Sequence, residues 1–108
     1  MPRPTVLLLE DNPAEAAVAE SALLFAGAEV VRSPERAVVA VLGRNALREY
    51  PGELRIPAVA ILPDPTDEER SRALAKGVRA VYERPGTWHA YTSLVGQVLA
   101  DWLPTRRG

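Results

Sequence analysis

An apolar run that ends in two carboxylates constrains this chain more than any other feature. Thr5-Val6-Leu7-Leu8-Leu9 passes directly into Glu10-Asp11-Asn12-Pro13. A continuous apolar run of this length fits a strand covered on both faces, as at the centre of a parallel sheet. The carboxylates fall where that strand ends, and in open α/β sheets ligands bind at the carboxyl ends of the strands. Asn12 is a good N-cap, Pro13 suits the first helical position and Glu15 sits at the capping-box position, so a helix opens there. Glu10 and Asp11 are thus held at the mouth of a strand–helix turn. One use for such a pair is a solvated turn that favours the helix dipole. The other is a hard cation such as Mg²⁺, which takes clustered oxygen ligands.

The rest of the chain continues the alternation. The first helix is expected over residues 13–26, with Ala14, Val18, Ser21, Ala22 and Phe25 as its core stripe and Gly27 as its stop. Ala28-Glu29-Val30-Val31-Arg32 reads as a second strand. Ser33-Pro34-Glu35 repeats the helix-start signal. Ala37-Val38-Val39-Ala40-Val41-Leu42 suits a strand by composition, but a parallel crossover usually needs a dozen residues or more. The spacing therefore predicts a helix over 34–42, ended by Gly43 or kinked on to Glu49, with Pro51-Gly52 as a firm stop. Residues 55–62 form the third strand. Thr66-Asp67-Glu68-Glu69 is a capping box, Gly77 closes its helix, and residues 78–82 form the fourth strand. A last helix over 87–103 has Tyr91, Leu94, Val95, Val98, Leu99 and Trp102 as its apolar stripe.

With 108 residues, 47% of them hydrophobic, the chain is long enough for one small domain with its own core. A net charge of −1 without a long basic run argues against non-specific nucleic-acid binding. The absence of cysteine rules out disulfides and thiolate metal sites. No apolar run is long enough to span a bilayer, and no signal peptide is recognised, so the expected location is cytoplasmic.

Val6-Leu7-Leu8-Leu9-Glu10-Asp11-Asn12-Pro13 resembles the first strand and acidic pocket of a response-regulator receiver domain. Ile56-Pro57 through Pro85 resembles the family's late strand–helix–strand part: the capped helix, the Ala73-Leu74-Ala75-Lys76-Gly77 ending and the Arg84-Pro85 pair all match. The resemblance covers most of the chain. It implies two-component signalling, a flavodoxin-like three-layer α/β fold, and Mg²⁺ at Glu10 and Asp11. The departures are as informative. The family's phosphoaccepting aspartate ends its middle strand, and that strand–helix unit has no counterpart in this reading. Leu62 stands where the family has a hydroxyl residue, and Arg84 where it has lysine. Arginine keeps the charge but is not an equivalent point charge. Leu62, Arg84 and Pro85 are thus the remnant of a phosphate pocket, and the resemblance leaves the isomer of the bond before Pro85 open.

The resulting expectation is one receiver-like domain over 1–108, frayed at 104–108, with a reduced four-stranded parallel sheet ordered 2-1-3-4. Its function would be that of a pseudo-receiver, a non-enzymatic module that binds a protein partner without aspartyl phosphorylation, nucleic acid or membrane, a homodimer staying open. It requires no cofactor, and Mg²⁺ would bind weakly through Glu10 and Asp11. Arg79 and Trp88 are the interface candidates, as arginine and tryptophan are common hot-spot types. The alternative is an active phosphoacceptor or small Mg²⁺-dependent phosphotransfer domain in which Asp64 joins Glu10 and Asp11. The competing use of Asp64, in Pro63-Asp64-Pro65, is as a turn residue or helix cap. His89 has no serine or acid at a catalytic spacing and reads as a surface histidine.

Overall fold

A computed structural model of the chain describes residues 3–50, 52 and 54–102. The expected tail at 104–108 lies outside them. Five strands, β1 (Thr5–Leu9), β2 (Glu29–Val31), β3 (Val39–Leu42), β4 (Ala58–Leu62) and β5 (Ala80–Glu83), form one parallel sheet in the order β2-β1-β3-β4-β5. The helices are α1 (Pro13–Phe25), α2 (Arg44–Glu49), α3 (Asp67–Ala75) and α4 (Trp88–Trp102). Strand residues alternate between two cores. Val6, Leu8, Val41, Val59 and Ile61 pack with Ala19 and Leu23 of α1 and with Tyr91, Val95 and Val98 of α4. Leu7, Ala40, Leu42, Ala60 and Leu62 pack with Leu47 of α2 and Ala73 of α3. Both sheet faces are covered, which is why these strands read as unbroken apolar runs.

The N-cap of α1, the capping box of α3 and the glycine stops of both hold. Asn12 Oδ1 accepts from the backbone N–H groups of Ala14 and Glu15, with Pro13 as the first helical residue. Thr66 and Glu69 close a reciprocal capping box on α3. Gly27 and Gly77 end α1 and α3 in the left-handed region, at φ 94° and 93°, where a Cβ would be strained.

Two expectations fail. The sheet has five strands, not four in the order 2-1-3-4. The segment predicted as a helix over 34–42 holds only a 3₁₀ turn at Pro34–Arg36, where the Ser33 side chain makes no cap. The chain then enters β3, whose residues are 0–3% exposed and which lies between β1 and β4 at the sheet centre. A short connection suffices because of register. β2 ends level with Leu7, and β3 begins level with Val6. Residues 32–38 therefore need only step sideways over β1, roughly 10 Å, and return by one residue. The crossover rule assumes a link that retraces a full strand. The middle strand of the receiver pattern is thus present, and what is reduced is the helix before it. Val6, Leu8, Val59 and Ile61 are buried, but β1 is flanked by β3, not β4.

The stripe of α1 is also displaced. Ala19, Ala22 and Leu23 are buried, whereas Ala14 and Ser21 are exposed and Phe25 is 72% exposed. In a helix this rich in alanine and leucine, more than one line of three- and four-residue spacings is apolar, and packing selects among them. The stripe of α4 is as expected, with Tyr91, Val95, Val98 and Leu99 buried.

Candidate functional site

β1 and β3 end side by side, with Leu9 level with Leu42 and the Gly43 N–H donating to the Leu9 carbonyl at 2.8 Å. Glu10 and Asp11 therefore lie next to Gly43, Arg44 and Asn45, an adjacency formed only by strand pairing. No residue at the end of β3 carries a carboxylate. Leu42 is fully buried in the core shared with α2 and α3. Gly43 faces Glu10 so closely that a Cβ placed there would lie 2.5 Å from Glu10 Cδ and on top of Oε1. The Glu10 side chain thus fills the space that a side chain at the end of β3 would need. Its Oε2 accepts from the Asn12 N–H at 3.0 Å, so Glu10, not Glu15, reaches back to the N-cap of α1.

Asp11 is exposed, and both of its carboxylate oxygens accept from the Asn45 side-chain amide, at 3.1 and 3.2 Å. An open cleft of about 300 Å³ runs along this edge, lined by Glu10, Asp11, Glu49 and Arg32 over Leu8, Leu9 and Ala46. Arg32 is held at its rim by the Leu8 carbonyl at 3.3 Å and Glu20 at 3.0 Å.

Asp64 stands apart from this pair. Among the described residues no three acidic, histidine or cysteine side chains come together as a cation site, so Asp64 does not complete one with Glu10 and Asp11. Asp64 is an exposed turn residue at φ 49°, a conformation that aspartate tolerates better than most. Its loop is held by Arg44, which donates from Nη2 to the Pro63 carbonyl at 2.6 Å and more weakly to that of Asp64 at 3.5 Å. Arg44 also grips Glu69 through Nε and Nη2, at 2.6 and 3.2 Å. That bond, with the one from the Thr66 N–H, holds the Glu69 carboxyl down at about 2 and raises the Arg44 guanidinium. Glu10 and Asp11 would hold Mg²⁺ only with water completing most of its shell. They offer two carboxylates, both already accepting hydrogen bonds, where such a cation demands six oxygens in octahedral array.

Of the residues expected as a phosphate-pocket remnant, Leu62, Arg84 and Pro85, the first is buried and the second is engaged elsewhere. Leu62 is fully buried and offers nothing to the cleft. Arg84 Nε lies 3.1 Å from Glu15 Oε1, an ion pair whose N–H is not aimed for a hydrogen bond, and the guanidinium sits 5.3 Å over the Tyr91 ring. Burial pushes the Tyr91 hydroxyl above its ordinary pKa, against the pull of Arg84. The bond before Pro85 is trans.

Arg79 and Trp88 are both exposed, one before and one after β5. Trp88 meets Phe25 edge-to-face at 6.2 Å. Sequence reasoning missed that pairing because it placed Phe25 inside. It also missed Gly43, Arg44 and Asn45, which it read as the end of a helix or a kink within it. His89 is on the surface, its carbonyl accepting from the Thr92 hydroxyl. Among the described residues no helix is long and apolar enough to cross a membrane.

No family model and no curated protein matches the sequence. The fold is matched by solved response regulators. The phosphorylated cyanobacterial phytochrome response regulator RcpA is 18% identical with a TM-score of 0.74, over 96% of this chain and 100% of that one. The Mn²⁺-bound form of the response regulator Rcp1 is 17% identical with a TM-score of 0.69, over 96% and 97%. An orphan response regulator of H. pylori is 23% identical with a TM-score of 0.67, over 92% and 98%.

Proposed function

We propose that this chain, which has the fold of a response-regulator receiver domain, is a pseudo-receiver: it signals by protein contact and is not switched by an aspartyl phosphate. The observation that carries this reading is at the end of the middle strand. The position facing the pocket is Gly43, and the Glu10 carboxylate occupies the space above it. Phosphoryl transfer in this setting needs an acceptor carboxylate, a cation held by acids and a free cationic side chain together. Here the acceptor is missing, Asp11 is tied to Asn45, and Arg84 is paired with Glu15. RcpA is phosphorylated and Rcp1 holds Mn²⁺. This chain has kept their scaffold and rebuilt the site. Mg²⁺ is not required and binds weakly, through Glu10 and Asp11 with water completing its shell. The module is not an enzyme, acts in the cytoplasm, and works on a protein, not on nucleic acid or membrane.

The test is incubation with a small phosphodonor and excess Mg²⁺, followed by intact-mass measurement at mildly alkaline pH. The expected result is no added phosphoryl group. A single phosphoryl adduct that disappears in Asp64→Asn would make Asp64 the acceptor and overturn the proposal.

A further inference from the structure

α2 and α3 run side by side and leave a groove of about 280 Å³ between them. Its floor is apolar, built from Leu47 and Ala73, and its walls carry Arg44, Arg48, Arg72 and Lys76. Glu69 is the one acid in the lining. The chain as a whole has a net charge of −1, so this groove concentrates positive charge on a molecule otherwise negative.

The groove is pinned at both ends. Arg44, at the start of α2, grips Glu69 in the first turn of α3. Lys76, at the end of α3, donates to the Leu47 and Arg48 carbonyls at the end of α2, at 3.0 and 2.7 Å. Those bonds satisfy helix-terminal carbonyls and fix the spacing of the walls, so a ligand meets a slot that is already formed. Glu69 is committed to Arg44 and to the Thr66 N–H. Arg72 pairs with Glu68 one turn away, but both side chains are about 70% exposed, so the pair exchanges readily with another anion.

We infer that the groove between α2 and α3 is a docking surface for an acidic segment of a partner protein, with carboxylates on Arg48, Arg72 and Lys76 and one apolar side chain on Leu47 and Ala73. The inference rests on the reading that this chain works by protein contact. Charge complementarity selects an acidic partner. Nucleic acid fits less well, because the lining has no aromatic side chain on which a base would stack and the rest of the chain repels a long polyanion. α2 spans about 9 Å, so about three residues of an extended segment fill the slot.

The probe is a fluorescein-labelled peptide of aspartate and glutamate around one leucine, followed by anisotropy at low salt. Saturable binding is expected, weakened on raising the salt to physiological strength as surface charges are screened. The Arg48→Glu/Arg72→Glu double variant spares both pins and is expected to lose about tenfold or more in affinity, about 1.4 kcal/mol. Arg36→Glu, on an exposed arginine outside the groove, is expected to bind normally. Absence of binding, equal binding by the double variant, or equal binding of the same peptide with lysine for its acids overturns the inference. Tighter binding of an oligothymidine overturns it in favour of a nucleic-acid site. Any of these results leaves the phosphodonor experiment untouched, so a failed groove and a failed pseudo-receiver reading are distinguishable.

Discussion

The contact between Glu10 and Gly43 can be measured by a double-mutant cycle. Gly43 has φ −84° and ψ −179°, extended backbone that any residue adopts. Gly43→Ala should therefore stabilise the protein by about 0.4–1 kcal/mol, by restricting the unfolded chain. The new Cβ, however, would fall on the Glu10 carboxylate. The end of that side chain must swing away and give up its bond from the Asn12 N–H, worth about 0.5–1.5 kcal/mol. In the native background the two effects nearly cancel, or leave the variant less stable by about half a kcal/mol. In a Glu10→Ala background nothing is displaced, and Gly43→Ala should stabilise by the full backbone term. The coupling between the two sites is thus about 1 kcal/mol, read from urea unfolding of the four proteins. A coupling below about 0.3 kcal/mol would refute the reasoning, since Glu10 would then not occupy the space above Gly43.

Leu8, 2% exposed on β1 and packed in the core shared with α1 and α4, should cost roughly 2–5 kcal/mol when cut to alanine, and a loss below about 1 kcal/mol in urea unfolding would remove it from the core. Phe25→Ala should cost less than about 1 kcal/mol, because its ring is 72% exposed; a loss of about 3–5 kcal/mol would restore it to the core stripe. The Glu69 carboxyl titrates near 2 in the folded chain against 4.5 when unperturbed, so its stabilisation is complete above about pH 4.5 and is lost as the pH falls through about 2. With the pair about a quarter to a third exposed, screening leaves about 1 kcal/mol, and Glu69→Gln should flatten that part of the acid unfolding curve; an unchanged curve would mean the Arg44 grip is absent in solution.

Much of this molecule is written in short windows of sequence. The Asn12-Pro13 start of α1, the Thr66–Glu69 box of α3 and the Gly77 stop are each complete within a few residues, because capping joins side chains to backbone groups one turn away. The burial of β1 and β4 was legible in their unbroken apolar runs, and the buried face of α4 in its spacings of three and four. The placing of Glu10 and Asp11 at a strand's carboxyl end followed from β1 alone.

What those two acids do was decided elsewhere. Residues 37–42 are apolar at every position, so they suit a strand or a buried helix, and periodicity cannot choose between them. The choice fell to register, because β2 stops level with Leu7 and leaves the chain a short sideways step into the gap between β1 and β4. Once β3 fills that gap, Gly43 comes under Glu10 and Asn45 comes against Asp11, across 33 and 34 positions of sequence. Phe25 went the same way: its spacing allowed the core, and the packing of α1 on the sheet turned a neighbouring line of residues inward and set the ring against Trp88. Local bonds can be read from the order of residues; which surfaces meet depends on the sheet that the distant segments build together.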